Sequence, residues 1–428
     1  MTIHPDRNTG PGFAPINDID FLPVNEFTLP NGIMVSLLEA GSQEVSRIDW
    51  IFPAGAVQAG VPLLASTVAN LILEGTTTRT SAQISELLDF YGAYLNSQTY
   101  HHNTVITLFC LSRHLPVLLP LVEDVITNAV FDPVELDIYL DKRRQEFLID
   151  SDKVKTIAAR KFSQVIFGED HPYGRALELL HFDQLKRDDL IDFYRKAYTP
   201  RDCRIVVAGQ PGSALSGLLI NHFGSTQWEL GPFNLNGVSH TTPAADKFYF
   251  IKREGALQSA LRIGRPLFNH QHPDSMALQV VNTLLGGYFG SRLMTSVREE
   301  KGLTYGIGSS IIPFRKSGMW MIASEVKGDM RETAVEAIFQ EMDRLVKEPV
   351  SDHELELVKN YMLGELLRNF DGPFSSADIY RTLLDYDLDF GFYAELSQTI
   401  RSITPGRIHQ LAAKYLKKED FYVVVAGK

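Results

Sequence analysis

Apolar and polar positions follow two rhythms along this chain, and the changes between them mark out its elements. Period-two alternation, the mark of a strand with one buried face, runs through FTLPNGIMVSLL, RIDWIFPAG, TVITLFCL, KFYFIKRE, SALRIGRPL and GMWMIASEV. Elsewhere the spacing is helical. In TSAQISELLDFYGAYL, the residues Ile84, Leu87, Leu88 and Tyr91 share one helical face behind a Thr80–Gln83 capping box. Asp132-Pro133 predicts the cap of one long helix running to about Phe167; Ser351–Glu354 reads as a second capping box, and Thr404-Pro405 opens the last helix. One helix is unusual. VPLLASTVANLILEGTTTRT (Val61–Thr80) is apolar except for Ser66, Thr67 and Asn70, small uncharged groups on roughly one face.

The pattern occurs twice. AYTPRDCRIVVAGQ (197–210) and KYLKKEDFYVVVAGK (414–428) each join a helix end, a Tyr, a charged turn and a β-branched strand ending in Val-Ala-Gly, with Asp202 and Asp420 standing 218 apart. A period this long indicates a duplicated domain rather than a solenoid. The expected fold is therefore α+β, in two similar halves, each a mostly antiparallel sheet with helices packed on one face. Residues 1–224 form the expected first domain and 247–428 the second. The polar, Gly/Pro/Asn/Thr-rich segment 225–246, without periodicity, links them.

Composition narrows the partners. A net charge of -11 argues against nucleic acid and against an anionic membrane surface. No run of about 18 apolar residues exists, so no membrane span is expected. The two cysteines, Cys110 and Cys203, lie in apolar strand-like runs and read as buried free thiols. The opening MTIHPDRNTGPGFAP lacks the layout of a secretory signal, which makes the cytoplasm the expected location; a periplasmic one stays open if the chain is trimmed.

A search for self-sufficient chemistry returns little. His353-Glu354 begins a His-Glu-x-x-His pattern, but position 357 is Leu, and no Glu-His dipeptide occurs for the inverted form. His101 and His102 are adjacent on an expected strand and so face opposite ways. There is no Gly-x-Ser-x-Gly, no phosphate loop and no dinucleotide fingerprint. One segment carries a usable pair. In LLGGYFGSRLMTSVREEKGLTYGIGSSI (284–311), a Gly-rich turn leads to a short helix from about Ser291 that ends near Lys301-Gly302, and a strand follows. Arg298 and Tyr305 together offer a forked cation and a phenol, groups suited to peptide carbonyls or a carboxylate. The plainer alternative pairs Arg298 with a nearby carboxylate and makes Tyr305 sheet packing.

These segments resemble the pitrilysin (insulinase) family of inverted-zincin peptidases over nearly the whole chain. The 284–311 segment is similar to the family's second-domain signature, which pairs an Arg and a Tyr at this spacing; FTLPNGIMV, LEGTTTRTSAQISELLDFYGAYLNSQTYHHNTV and FGEDHPYGR are similar to blocks of its first domain. The resemblance places Ser66 and Asn70 where active members hold two zinc-ligating histidines, Ala69 where they hold the general base, and Glu146 at the distal carboxylate ligand. A hydroxyl and an amide do not replace two imidazoles, and a methyl takes no proton, so no metal or other cofactor is expected in this chain.

What the resemblance implies is a division of labour. Some bacterial members work as two chains, one with the zinc motif and one with the Arg/Tyr pair, and this sequence resembles the second kind. The expected function is thus the non-catalytic subunit of a zinc endopeptidase: Tyr305 supports the oxyanion and Arg298 holds the peptide. The expected partner is a homologous chain carrying His-x-x-Glu-His and the zinc, with a homodimer possible for the isolated chain. The resemblance also implies a peptide-receiving edge strand at YLNSQT, with Asn96, Ser97 and Thr99. Two other readings stand beside it: a scaffold or peptide-binding subunit without a role in proteolysis, and an autonomous metallopeptidase using a different metal site.

Overall fold

The alternating runs become the strands of two sheets with the same order. In the computed structural model, which describes residues 16, 19–226, 228 and 241–428, the first sheet consists of β1 (Asn25–Thr28), β2 (Met34–Glu39), β3 (Val45–Phe52), β4 (Tyr94–Thr99), β5 (Thr104–Leu111) and β6 (Arg204–Gly209). Its order is β1-β2-β6-β3-β5-β4. The second, of β7 (Phe248–Lys252), β8 (Gln258–Leu267), β9 (Thr304–Phe314), β10 (Ser317–Lys327) and β11 (Tyr422–Gly427), runs β7-β11-β8-β10-β9. Without β1 the two orders match strand for strand. Among the described residues each sheet has one parallel pair, β2 with β6 and β7 with β11, the last strand of each half. The two Val-Ala-Gly endings are therefore the same inserted strand. The fold is α+β in two similar halves. Most of segment 225–246 lies outside the described residues.

The helices of each half gather on one face of its sheet. Trp50, Phe52 and Ile106 of the first sheet are fully buried against apolar residues of helices such as Leu115–Thr127 and Arg187–Ala197. Trp320, Ile322 and Val425 of the second sheet pack in the same way on helices Arg331–Lys347 and Pro405–Tyr415.

The opposite face of each sheet is covered by one helix from the other half. Helix Val154–Phe167, from the first half, lays Phe162, Val165 and Ile166 against Phe314, Met319, Tyr422 and Val424 of the second sheet. Helix Pro373–Leu384, from the second half, lays Ala377 and Tyr380 against Leu38, Ile51, Val105 and Val206 of the first. At the closest approach Ala158 meets Ala260 and Ala426, all fully buried. Gly264 is needed there: a Cβ would stand 1.9 Å from the Trp320 carbonyl oxygen and 2.7 Å from the Phe162 ring.

This exchange explains a departure from the sequence pattern. The helix expected from Asp132 to Phe167 breaks at Asp152-Lys153 into Pro133–Ser151 and Val154–Phe167, with Lys153 in an extended conformation. An unbroken helix would carry Phe162, Val165 and Ile166 away from the second sheet and leave their apolar surface in water; the break turns them onto it.

The two hairpin turns, 100–103 and 315–316, meet between the halves. His101 and His102 lie in the first turn, not on a strand, and do not face opposite ways: both rings contact Tyr173, at 5.6 Å each. The His102 Nε2 also hydrogen-bonds the Tyr173 hydroxyl at 2.7 Å, and His101 stands edge-on to Phe314 at 5.0 Å. Burial, with the charges of His101, Arg315 and Lys316, pushes His102 down to about 4. In the unfolded chain it titrates near 6.5, so falling pH favours the unfolded chain from about 6.5 through about 4, at a cost of about 3 kcal/mol. The melting temperature should fall on acidification across that window, and His102→Asn should flatten the slope. An unchanged slope would remove His102 from the account.

Candidate functional site

Around the Val61–Thr80 segment the polar face turns inward on itself. Helix Leu64–Leu71 holds the Ala69 methyl fully buried. Ser66 Oγ donates to the Leu63 carbonyl at 2.9 Å, Thr67 Oγ1 donates to the same oxygen at 2.8 Å, and Asn70 Nδ2 donates to the Ser66 carbonyl at 2.7 Å. Glu146, on helix Pro133–Ser151, pairs with Arg143 one turn earlier, at 2.5 Å. Tyr139 stands on the same helix, with its phenol near Ser66 and Thr67. Burial pushes that phenol up, against the opposing effect of Arg143.

These groups do not fit zinc. A neutral hydroxyl and a carboxamide are poor zinc ligands beside imidazole or thiolate, the Ala69 methyl takes no proton, and the Arg143 guanidinium neutralises the one carboxylate, Glu146. Among the described residues no group of three or more His, Cys, Asp or Glu is placed to hold a metal ion. Cys110 and Cys203 are buried free thiols.

β4 is the edge of the first sheet and pairs only with β5, placing Asn96 opposite Thr107, Ser97 opposite Ile106 and Thr99 opposite Thr104. The Thr99 hydroxyl donates to the Ala65 carbonyl at 3.3 Å, which ties the edge to helix Leu64–Leu71. Ser97 Oγ is buried without a hydrogen-bond partner.

Arg298 and Tyr305 sit on the second half, and no hydrogen bond or ion pair joins them to the Ser66–Glu146 group. The Gly-rich turn packs directly on β9: a Cβ on Gly286 would stand 2.7 Å from Ser309 Cβ and 2.9 Å from the Leu293 side chain. From this turn a wide helical segment, Met294–Glu300, delivers Arg298 to the start of β9. Buried Arg292 anchors it through two bonds to Glu354, at 2.8 and 2.9 Å. The Ser351–Glu354 cap thus forms through the Ser351 hydroxyl, while the Glu354 carboxylate is taken by Arg292.

Arg298 Nε donates to the Tyr305 carbonyl at 3.0 Å, and its guanidinium lies over the Phe289 ring at 4.8 Å. Its closest carboxylate contact is Glu299 at 3.7 Å, beyond hydrogen-bond range. Tyr305 is not sheet packing; it is 93% exposed. The cause is a bulge: Thr304 pairs with Val326 and Ile307 with Ser324, so that Tyr305 and Gly306 share one position opposite Glu325. Bulges re-aim side chains. Hydrogen bonds from Thr304 Oγ1 to the Glu325 carbonyl (2.7 Å) and from Ser324 Oγ to the Gly306 carbonyl (3.0 Å) fix this one. Tyr305 lines two clefts, one shared with Arg298 and Met330, the other with Leu257, Gln258 and Lys327.

Three residues of these sites are absent from the sequence expectation. Arg143 was readable, since it stands three residues before Glu146, a helical neighbour. Phe289 and Tyr139 were not, because an aromatic in an apolar run gives no sign of what lies over it.

Comparisons with known proteins bear on the family and the fold. A model of insulinase, peptidase family M16, matches residues 42–161, and a model of the peptidase M16 inactive domain matches residues 184–362. A zinc protease of Mycobacterium tuberculosis is 25% identical over 382 residues, covering 87% of this chain and 85% of its own. A zinc protease of Bacillus subtilis is 25% identical over 307 residues, covering 71% and 73%. Among solved structures, a peptidase M16 inactive domain from Pseudomonas fluorescens superposes with a TM-score of 0.83 at 22% identity, over 95% of this chain and 98% of that one. A periplasmic protease from Escherichia coli superposes at 0.77 and 17% identity; this chain is covered to 99%, that one to 48%.

Proposed function

Because the chain belongs to the insulinase family of peptidases, peptidase family M16, we propose that it is the non-catalytic member of a two-chain zinc endopeptidase, presenting Arg298 and Tyr305 to a homologous partner that carries His-x-x-Glu-His. One observation supports this above the rest. The phenol of Tyr305 is held out into solvent by a bulge while its carbonyl is fastened to Arg298. An exposed tyrosine on a fixed backbone costs little to present and gains nothing for this chain's own core. It has a use once a second surface closes over it. The zinc, and the water it activates, belong in this reading to the partner.

In that complex Tyr305 donates its O–H to the oxygen of the peptide carbonyl under attack, where charge develops. Arg298, fixed through Nε, keeps its outer N–H groups for a neighbouring carbonyl or carboxylate of the peptide. Phe289 holds the guanidinium plane from beneath. The edge strand β4 offers unpaired backbone groups to an extended peptide, which is recognition through the main chain with little demand on sequence.

Mixing this chain with its partner should give peptide hydrolysis that neither shows alone. Stable binding with no hydrolysis in the mixture would replace the proposal with the scaffold reading. A chelator should abolish hydrolysis by the mixture and leave the melting temperature of this chain unchanged. A chelator-induced drop in that temperature would mean that this chain holds a metal of its own.

A further inference from the structure

We propose that the groove between helix Val154–Phe167 and the second sheet binds the carboxylates of an acidic polypeptide segment. Four cations line it: Lys155 and Arg160 from the helix, Arg175 from the segment beyond it, and Arg262 from β8. The helix adds the hydroxyls of Thr156 and Ser163, and no Asp or Glu takes part in the lining. This happens in a chain of net charge -11, where a cluster of unopposed positive side chains runs against the average.

Among the described residues, none of the four forms an ion pair. Arg175 donates to the carbonyls of Gly60 and Asp170, Arg262 donates to the carbonyl of Leu261 at 2.9 Å, and Arg160 lies over the Phe147 ring at 5.1 Å. The carboxylate that Arg262 senses is Glu325, diagonally across on β10, with no hydrogen bond between them. These contacts use one or two donors of each guanidinium and leave the rest for a ligand.

The arrangement suits an extended chain better than a small oxyanion. The cations come from three separate segments, and apolar groups, Ala159, Ala176 and Leu177, lie among them. The groove lies beside the cleft that contains Tyr305: on the same helix Val154 lines that cleft and its neighbour Lys155 lines the groove. Gln258, which lines the Tyr305 cleft, and Arg262 lie on the same face of β8, four residues and so about 13 Å apart. A peptide leaving Tyr305 would bring its side chains into the groove after about four extended residues. The groove's charge does not depend on the role proposed for Tyr305, and it can be tested on this chain alone.

Two fluorescent peptides of the same length, one ending in four Glu and the other in four Gln, would be titrated with the isolated full-length chain and followed by anisotropy. The Glu peptide should bind at least about tenfold more tightly at low salt, with the preference fading as ionic strength rises and screening sets in. Lys155→Gln/Arg262→Gln should remove most of the preference. Lys155→Gln alone, at an exposed position that leaves folding intact, should weaken it about threefold. Equal affinity for the two peptides would overturn the proposal, as would a preference that survives both variants. It would equally be overturned if inorganic tripolyphosphate raised the melting temperature while neither peptide bound. Because no hydrolysis is read, failure of the mixed-chain activity would leave this result standing.

Discussion

Tyr305→Phe is expected to lower the hydrolytic rate of the two-chain mixture by about a hundredfold to a thousandfold, the effect of removing one oxyanion donor, and to leave the melting temperature of this chain unchanged. The second half of that expectation makes the test clean. Tyr305 is 93% exposed and its hydroxyl makes no hydrogen bond among the described residues, so deleting the oxygen removes none. Arg298→Ala should act differently. It frees a carbonyl that water can satisfy and takes away a grip on the peptide, so its main effect should be on KM, with a smaller loss in kcat. Arg298→Lys should rescue poorly, because an ammonium cannot bond the Tyr305 carbonyl and a substrate oxygen in the same forked geometry. If both variants of the pair hydrolyse peptide at the full rate, the pair is structural and the proposed function is wrong.

The second large effect concerns stability. Phe162→Ala should destabilise the protein by about 3–5 kcal/mol, the usual cost of emptying a buried aromatic site. Phe162 is 1% exposed and belongs to the first half, yet its ring packs over Gly264 of the second sheet. The site has little freedom to collapse, because the sheet backbone lies directly beneath it. The loss should also be uneven. Trp50 and Trp320 are both fully buried, one in each half, and each can report alone once the other tryptophans are replaced by Phe. In the parent protein the two signals should change at one urea concentration. In Phe162→Ala the Trp320 signal should change first. A loss below about 1 kcal/mol, or a shift confined to Trp50, would mean that the crossing helix does not hold the second half together.

Much of this was legible in the sequence, and the limits have physical causes. The duplicated Val-Ala-Gly strands could be matched because a strand inserted between two others is buried on both faces and so stays apolar throughout. That positions 66 and 70 offer a hydroxyl and a carboxamide was legible from residue type alone: no folding of the chain turns Ser66 and Asn70 into imidazoles. The Arg298/Tyr305 pair was visible as a spacing, but the bulge that projects Tyr305 was not. It depends on register with Glu325, twenty residues away on the partner strand, and no local pattern encodes it. The break at Lys153 was missed for a related reason. Apolar periodicity reports that Phe162 and Ile166 need cover but not which surface provides it, and here that surface, with Phe314, Met319, Tyr422 and Val424, comes from the sheet of the other half. The histidine turn was misplaced because YHHN carries no Gly or Pro to punctuate the strand.

The exchange of helices between the halves has a consequence for truncation. If the proposed function is right, the first half holds no metal, and a chain without that task has no chemical reason to keep a domain built around one. Here the domain cannot be dropped, because residues 154–167 roof the sheet that holds out Tyr305, and residues 373–384 do the same in return. Any truncation between the halves would bare one sheet or the other, so each half is the mechanical dependant of its neighbour.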